Sequence, residues 1–476
     1  MKRTNNMKFK SIMILTLAAV SLTGCKSLYG QYERPEVKTS GLFRDSTSAS
    51  DTLAARDTLA ARDTSSFANI PWRSVFTDPQ LQSLIQKGLD NNPDLLNAAL
   101  NVQMAEAQLK AAKLSFLPSF TFSPQGTIAS WDGGKATKTY QLPINASWNV
   151  DLFGNLLSQK RAAQVALLQS QDYQVSVKTN IIANIANMYY TLLMLDKQME
   201  VIGDMEKLTK DTWEIMKLQK DAVAGVRSTA VQSAEANYYS VLTQKEDIKR
   251  QIRETENSLS LLIGQQAQTI ARGRLDEQSL PTNFSTGIGI QLLKNRADVH
   301  AAEMNLAQCF YNVETARSKF YPNLTIAATG AFTNSGGAGI ITNPGSWLLS
   351  AVASLTQPIF MKGQLVAGLR VAEAQYKQAF NTWQNKVLSA GSEVSNALVL
   401  YNASDAKSKI EKKKIEVLKH NVEDTKALMA SAGSTYLEVI SAQSSLLNTE
   451  LSKVSDDFSK MQAVVNLYYA LGGGAK

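Results

Sequence analysis

Residues 140–154, YQLPINASWNVDLFG, alternate strictly. Tyr140, Leu142, Ile144, Ala146, Trp148, Val150 and Leu152 are apolar, while Gln141, Pro143, Asn145, Ser147, Asn149 and Asp151 are polar or turn-forming. A two-residue period over this length predicts a strand with one apolar and one wetted face. Almost everything around it has helical spacing, so the apolar face needs a neighbour other than those helices.

Working outward, the chain repeats itself. NNPDLLNAALNVQMAEAQLKAAKLSFLPSF (91–120) aligns without gaps to NRADVHAAEMNLAQCFYNVETARSKFYPNL (295–324), bringing Asp94 onto Asp298 and Pro118 onto Pro322. The opening stretch aligns to WLLSAVASLTQPIFM (347–361), 222–236 aligns to 429–443, and Gly264 falls on Gly472. Two tandem copies are expected, 71–272 and 285–472, each reading helix, strand, strand, long helix, helix. The first helix, 80–117, is closed by Pro118, which cannot continue it. Strands are expected near 119–130 and 138–152, and again near 323–333 and 346–358, the latter pair joined by the Gly-rich loop NSGGAGIITNPG. Leu324, Ile326, Ala328 and Phe332 share one face of their strand, with Thr325, Thr329 and Thr333 opposite. Pro143 and Pro358 fit a strand poorly.

Very long helices are expected over 155–224 and 363–431. Tyr376, Phe380, Trp383, Val387, Ala390, Val394, Ala397 and Tyr401 step by four and three in turn, as do Ile181, Ile185, Met188, Leu192, Leu195, Met199 and Ile202. That is coiled-coil spacing. At 1.5 Å per residue such runs reach on the order of 100 Å. Each breaks at a glycine, Gly225 or Gly433, and returns as another helix ending at Gly264 or Gly472.

Composition excludes several functions. Charged residues make up 19% and the net charge is +8, spread through the helices rather than gathered into a patch with interleaved aromatics, so nucleic acid is not an expected partner. The run Lys412-Lys413-Lys414 lies beside Glu411 and Glu416 and reads as a solvated helix face. His300 and His420 have no metal-ligand spacing around them, and no P-loop, GxSxG or paired-cysteine motif occurs. No catalysis, cofactor or metal site is expected.

The amino terminus carries an address. Lys2, Arg3, Lys8 and Lys10 precede a short apolar core, 12–20, which suits a secretory signal rather than a membrane span. It ends in Leu22-Thr23-Gly24-Cys25, which resembles a bacterial lipoprotein cleavage box. Residues 1–24 are then the signal peptide, and Cys25 the acylated (palmitate-bearing) new terminus. Lys26 at the next position favours outer-membrane sorting by analogy. Cys309 is left unpaired in helical context and reads as buried. Residues 25–70 are rich in Ser, Thr and Asp, with DTLAAR at 51–56 and again at 57–62. This low-complexity stretch reads as a lipid-anchored tether that does not bury a core of its own.

Four strands cannot close a membrane barrel, which starts at about eight, and a spanning strand cannot leave its edge unpaired in lipid. Several chains contributing four strands each is the economical solution. Two chains give a barrel plugged by its own side chains, whereas three give twelve strands and a lumen. On this reading Tyr140, Trp148 and Trp347 lie at the membrane interfaces, and Asn145, Ser147 and Asn149 face the water inside.

PWRSVFTDPQLQSLIQKGLDNNPDL (71–95), FGNL (153–156), AGSTYLEVISAQSSLLNTE (432–450) and NLYYALGGG (466–474), with the lipoprotein box and the duplicated layout, resemble the TolC-type outer-membrane efflux factors. The likeness is greatest to their lipoprotein, NodT-like branch, and covers almost everything after the tether. The resemblance implies an α+β membrane protein: a homotrimeric twelve-stranded β-barrel in the outer membrane, continued by a periplasmic α-helical barrel. It further implies docking, through a periplasmic adaptor (membrane fusion) protein, onto an inner-membrane RND-type pump that exports small molecules or metal ions. Gly225, Arg227, Gly433, Glu438 and Ser441 fall at the implied periplasmic tip. Many relatives carry an aspartate immediately before the Ala-Gln of the tip motif; Ser441 stands there, and Ala230 and Ser233 occupy the equivalents in the first copy. Glu438 is the one acid retained, and is expected either to ring the pore or to face outward and pair with Arg227. A type I secretion outlet shares the implied fold. A non-channel coiled-coil envelope lipoprotein is the alternative of another class, and the alternation at 140–152 argues against it.

Overall fold

A computed structural model describes residues 30–36, 67–130, 132–222, 227–281, 295–335, 341–430 and 435–475. The chain divides into two compact units. One is drawn from Met1–Val37, Leu100–Gln171 and Ala301–Gln384, the other from Lys38–Ala99, Asp172–His300 and Asn385–Lys476.

The first unit holds the sheet. Strands β1 (Ser119–Phe122), β2 (Gln125–Ala129), β3 (Thr137–Val150), β4 (Asn323–Ser335) and β5 (Ile341–Thr356) are antiparallel throughout. β3 pairs with β4 and β4 with β5, while β1 and β2 share the other side of β3. The strand expected over 119–130 is therefore two strands, parted at Ser123 and Pro124. That interruption accommodates Pro143 in the middle of β3. The Pro143 carbonyl accepts from Ser123 N at 3.3 Å. In an antiparallel ladder the N–H and C=O of one residue point to the same neighbour. The N–H that proline lacks therefore faces the gap between β1 and β2.

β5 starts at Ile341, inside the stretch expected as a Gly-rich loop, and ends at Thr356, leaving Pro358 outside the sheet. The pairing slips at a bulge between Thr333 and Ser335, so that Ser335 faces Ile341 while Thr333 faces Ser346. Gly345 passes so close to β4 that a Cβ there would sit 2.4 Å from the Thr333 carbonyl oxygen. Glycine here serves a close strand approach rather than a loop.

The helices are α1 (Trp72–Val75), α2 (Pro79–Asn91), α3 (Pro93–Leu114), α4 (Asn155–Ala222), α5 (Ser228–Leu262), α6 (Ala297–Ser318), α7 (Gln364–Ala430) and α8 (Tyr436–Ala470). The single helix expected over 80–117 is thus α2 and α3, broken at Asn92. A residue before proline is pushed out of the helical region, and Asn92 is extended, with ψ 124°. Its side chain then caps the start of α3 and reaches the end of α5: Oδ1 accepts from Asp94 N (2.8 Å) and Leu95 N (3.2 Å), and Nδ2 donates to the Leu262 carbonyl (2.8 Å).

The second unit holds the principal core. The stripe expected from heptad spacing on α4 is real: Ile181, Ile185, Leu192, Leu195 and Ile202 are buried, with Met188 and Met199 packed alongside. Around Ile181–Leu193 the stripe meets more than one helix. Phe67, Trp72, Phe76, Leu81 and Ile85 share its core with Val464, Tyr468 and Leu471 of the α8 region. On α7, Val387, Ala390, Val394 and Ala397 are buried in the expected steps, and so is Trp383 of the first unit.

Two helix ends in this unit have the same construction. Gly264 after α5 has φ +70°, and Gly472 after α8 has φ +89°; a Cβ would lie 2.6 Å from the Asn91 oxygen in one case and 2.6 Å from the Asn295 oxygen in the other. Asn92 reaches the Leu262 carbonyl in the first, and Arg296 Nη1 reaches the Ala470 carbonyl at 3.2 Å in the second.

Gly264→Ala and Gly472→Ala each combine a left-handed backbone with a backbone clash, and will each cost about 1–3 kcal/mol in thermal unfolding. Gly203, inside α4, is the control, because beyond its own turn of helix nothing lies within 4 Å of the place a methyl group would take there. Gly203→Ala will be neutral or stabilising by up to about 1 kcal/mol.

Candidate functional site

The sheet's pairing brings the apolar alternation of one strand onto that of the next. Residues directly opposite share a face. Phe122 faces Ile144, Ile144 faces Gly330 and Gly330 faces Leu349; Trp148, Ile326 and Ala353 form a second row; Leu142, Phe332 and Trp347 form a third. The result is one apolar face across all the strands, and it is bare in the single chain. Phe120 is 69% exposed, Ile144 54%, Trp347 79% and Leu349 86%.

The opposite face is polar and uncharged over most of its length. Thr329 Oγ1 donates to Asn145 Oδ1 at 2.8 Å, and Thr325 Oγ1 donates to Asn149 Oδ1 at 2.9 Å. Asn145 Nδ2 in turn donates to Ser123 Oγ at 3.3 Å. These cross-strand bonds satisfy the amides that the sequence assigns to the wet side.

The aromatic residues expected at membrane interfaces lie at opposite ends of the sheet. Tyr140, Phe332 and Trp347 form a row at one end, with ring centroids 6.2 and 5.7 Å apart, and the Tyr140 hydroxyl accepts from Gly345 N at 3.2 Å. At the other end Trp148 Nε1 donates to the Phe116 carbonyl at 2.8 Å. From Tyr140 to Trp148 the strand runs about 27 Å at 3.4 Å per residue.

In the second unit, the end of α4 and the start of α5 meet α7 and α8 around a small core. Met216, Ala230 and Ala234 are buried there, with Trp213, Val231, Met429, Tyr436 and Ile440 against them. Gln443 Nε2 donates to Thr212 Oγ1 at 2.7 Å, joining α8 to α4. Of the residues expected at the tip, Arg227 is the exposed N-cap of α5, with extended backbone. Ser441 and Ser233 are exposed, whereas Ala230 is buried. Glu438 adopts an arrangement beyond the two expected for it. It is the third residue of a capping box, its carboxylate accepting from Thr435 N at 3.2 Å, where the helix dipole also favours an acid. Cys25, Gly225 and Gly433 lie outside the described residues.

Three ionic features carry no signal in the sequence. Arg272 bonds Asp196 and the buried Glu256, tying α5 to α4. Arg296, only 3% exposed, grips Asp298 in a fork (2.9 and 2.8 Å) and reaches Glu393 on α7. Burial pushes the Asp298 carboxyl up, but the Arg296 guanidinium outweighs it and holds the group below the usual carboxylate range. The third joins α7 to α8. Lys407 Nζ lies 3.1 Å from Asp456 Oδ1, and beside this pair Glu411 Oε2 and Asp456 Oδ2 are both buried; as carboxylate oxygens neither finds a donor. A proton on Glu411, whose carboxyl is raised by burial, supplies a donor to this cluster. Among the described residues no group of three metal-capable side chains gathers, and no helix is long and apolar enough to cross a membrane.

Comparison with known proteins matches the family model described as outer membrane efflux protein to two stretches, 84–265 and 290–473. The chain is 27% identical over 468 residues to the cation efflux system protein CusC of Escherichia coli O157:H7, covering 96% of this chain and 97% of that one. It is 26% identical over 479 residues to the probable outer membrane lipoprotein SilC of Salmonella typhimurium, covering 98% and 99%. Among solved structures, the open state of the MtrE outer membrane channel of Neisseria gonorrhoeae superposes with a TM-score of 0.81 at 25% identity, covering 94% of this chain and 98% of that one.

The Glu411–Asp456 contact gives the α7–α8 seam a pH dependence of definite sign. Burial raises the Glu411 carboxyl, the Ser452 hydroxyl opposes this, and the neighbouring Asp456 carboxylate raises it again, for a net rise. A raised acid stabilises the fold below its unfolded value, about 4.3, and that contribution is lost as pH climbs through the folded value. Thermal unfolding of the parent will therefore show a loss on the alkaline side of that range. Glu411→Gln keeps a donor at every pH and will flatten that limb; a parent-like slope in the variant overturns the role of Glu411.

Proposed function

Because the chain belongs to the outer membrane efflux protein family, it is an outer-membrane efflux channel, and we propose that three copies build it. The observation that carries this reading is the continuous apolar face of the sheet, bordered by the β1–β2 edge on one side and β5 on the other. In lipid, a bare apolar face is favourable and an unpaired edge is not. Pairing β5 of one copy with β1 and β2 of the next removes every edge and yields twelve strand positions around a water-filled lumen. The separation of Tyr140 from Trp148 supports this: tilted by 35–45°, about 27 Å of strand spans about 20 Å, close to the roughly 25 Å apolar band of such barrels. Asn145, Ser147 and Asn149 then line the lumen, and the long helices continue the conduit into the periplasm.

The tandem organisation, 71–272 and 285–472, is supported by the two matched stretches and by the shared construction at Gly264 and Gly472. Docking to a periplasmic adaptor and an RND-type pump is assigned to Arg227, Glu438 and Ser441, at and near the starts of α5 and α8, together with Gly225 and Gly433, which lie outside the described residues. Cys25 is taken as the acylated amino terminus of an outer-membrane lipoprotein, in keeping with the name of the Salmonella relative. The cargo is a small molecule or metal ion selected by the pump; CusC is named for cation efflux. The protein conducts rather than catalyses.

Arginine at two adjacent positions separates the faces. Ile144→Arg places a charge on the lipid side at about 2–4 kcal/mol near the midplane and will cut the yield of assembled protein in outer-membrane fractions. Asn145→Arg faces the lumen, and will leave assembly intact while shifting planar-bilayer selectivity toward anions. Equal damage from both substitutions would refute the strand assignment.

Glu438 becomes three carboxylates in a threefold tube, and such a ring attracts cations. Glutamine can also close a capping box, so Glu438→Gln removes the charge while keeping the hydrogen bond to Thr435 N. Cation preference and divalent block in bilayer recordings will fall in this variant with trimer stability unchanged. Parent-like selectivity would mean that Glu438 does not face the pore.

A further inference from the structure

The second unit contains one seam between helices of the two tandem copies, and the same faces recur bare elsewhere on those helices. α5 and α8 are both 35 residues long, which matches them at a constant shift, Ser228 onto Tyr436. α4 and α7 each follow a left-handed glycine, Gly154 (φ +72°) and Gly363 (φ +82°), which matches them in turn. That second shift carries the buried Ile185 and Leu195 onto the buried Val394 and Ser404.

Within the chain, α4 meets α8 at two polar rungs. Gln443 Nε2 donates to Thr212 Oγ1 at 2.7 Å, and Asn187 Nδ2 donates to Asn466 Oδ1 at 3.2 Å. Between the rungs, Val201 and Leu208 of α4 share a core with Leu446 and Leu447 of α8 and Val422 of α7.

Moving each residue to its counterpart gives a second pair of faces, on α7 and α5. Thr212 and Asn187 become Asn421 and Asn396, while Gln443 and Asn466 become Glu235 and Ser258. Every counterpart is polar, and each rung still pairs a donor with an acceptor. Asn421, Asn396 and Ser258 are exposed. The apolar set transfers in the same way. Val201 and Leu208 become Ile410 and Val417, 65% and 67% exposed. Leu446, Leu447 and Val422 become Tyr238, Tyr239 and Trp213, an aromatic cluster in which Trp213 stacks on Tyr238 at 5.7 Å and Tyr239 is 52% exposed. Bare apolar groups with a polar rim mark an interface. Here the seam inside the chain shows what fits it, the matching face of a second copy.

We propose that neighbouring copies join along α7 and α5 in the register of the internal seam: Asn421 of one copy donates to Glu235 of the next, Asn396 meets Ser258, and Ile410 and Val417 seat on Trp213, Tyr238 and Tyr239. The proposal rests on the three-copy reading and adds to it the register and chemistry of the helical contact. Such a contact is heterologous, so the same step repeats from copy to copy until the ring closes. The two joints differ in one respect. Glu235 puts a carboxylate where the internal rung has a neutral amide, and a hydrogen bond to an ionised acceptor is the stronger kind.

The test uses the full chain in membranes. Asn421→Cys and Glu235→Cys are carried by separately tagged chains, expressed together in a Cys309→Ser background and treated with a short bismaleimide. The two tagged chains will become linked to each other, and neither will do so when paired with copies lacking the second cysteine. Thr212→Cys/Gln443→Cys is the control, linking within one chain. Trimers in which the control links but Asn421→Cys and Glu235→Cys do not overturn the seam. Linked chains whose native mass is other than three copies overturn the three-copy reading and leave the seam standing; a parent of one copy overturns both. Separately, Ile410→Asp drives a carboxylate into the apolar contact and will lower the assembled fraction roughly tenfold. Lys413→Asp, whose counterpart Asp204 is exposed inside the chain, will not. A parent-like assembled fraction in Ile410→Asp overturns the register.

Discussion

Backbone groups at the edge of a sheet must find partners wherever water is excluded, and this requirement organises the protein. The sheet of one chain presents a single apolar face from Phe120 to Leu355 and ends in two edges, β1–β2 and β5. A sheet of this kind in water would need a covering layer on that face. In a bilayer the lipid is the covering layer, and only the edges remain to be matched. The polar face answers the same demand by different means, since Thr325 and Thr329 satisfy the amides of Asn149 and Asn145 directly. That face carries amides and hydroxyls rather than charge over most of its length.

Where the structure was legible in the sequence, the signal was local and periodic. The alternation at 140–152 fixes the faces of β3, and Leu324, Ile326 and Phe332 fall on the side expected for them. Four-and-three spacing on α4 and α7 picked out their buried stripes. The spelling Thr435-Tyr-Leu-Glu438 is a capping box that can be read directly, although the tip motif draws the eye to its charge instead. What failed had its cause elsewhere in the chain. Gly345 looks like a loop residue because its reason, the Thr333 carbonyl, belongs to another strand. Asn92 breaks the first long helix by bonding Leu262, 170 residues away. Arg34 in a low-complexity stretch gives no hint of Glu303, 269 residues distant. The Asn-Pro at 92–93 was the one warning available.

The two helix ends at Gly264 and Gly472 meet the same need with different chemistry. Each must satisfy a terminal carbonyl in a buried place, one with a neutral amide and the other with a guanidinium. The amide needs nothing further. The guanidinium must itself be neutralised, and Asp298, with Lys386 and Glu393 nearby, forms a charged cluster about it. A buried ion pair of this kind is weak as a source of net stability but costly to break from one side, so the second end is the more brittle of the two.

Pro143 has a consequence for how the barrel finds its alignment. A strand whose residues all carry N–H groups can slide by two places and keep its apolar side toward lipid, and the sheet would hardly register the error. With a proline in the middle of β3 the slide is detectable. Moved two residues along the β1–β2 edge, the ring would interrupt a stretch of ladder that is otherwise intact, adding a second break to the one at Ser123 and Pro124. In the observed register the proline lies opposite the gap at Ser123 and Pro124, where the ladder is already interrupted. The proline and the gap work as key and notch, so alignment is checked by steric fit rather than by side-chain preference alone.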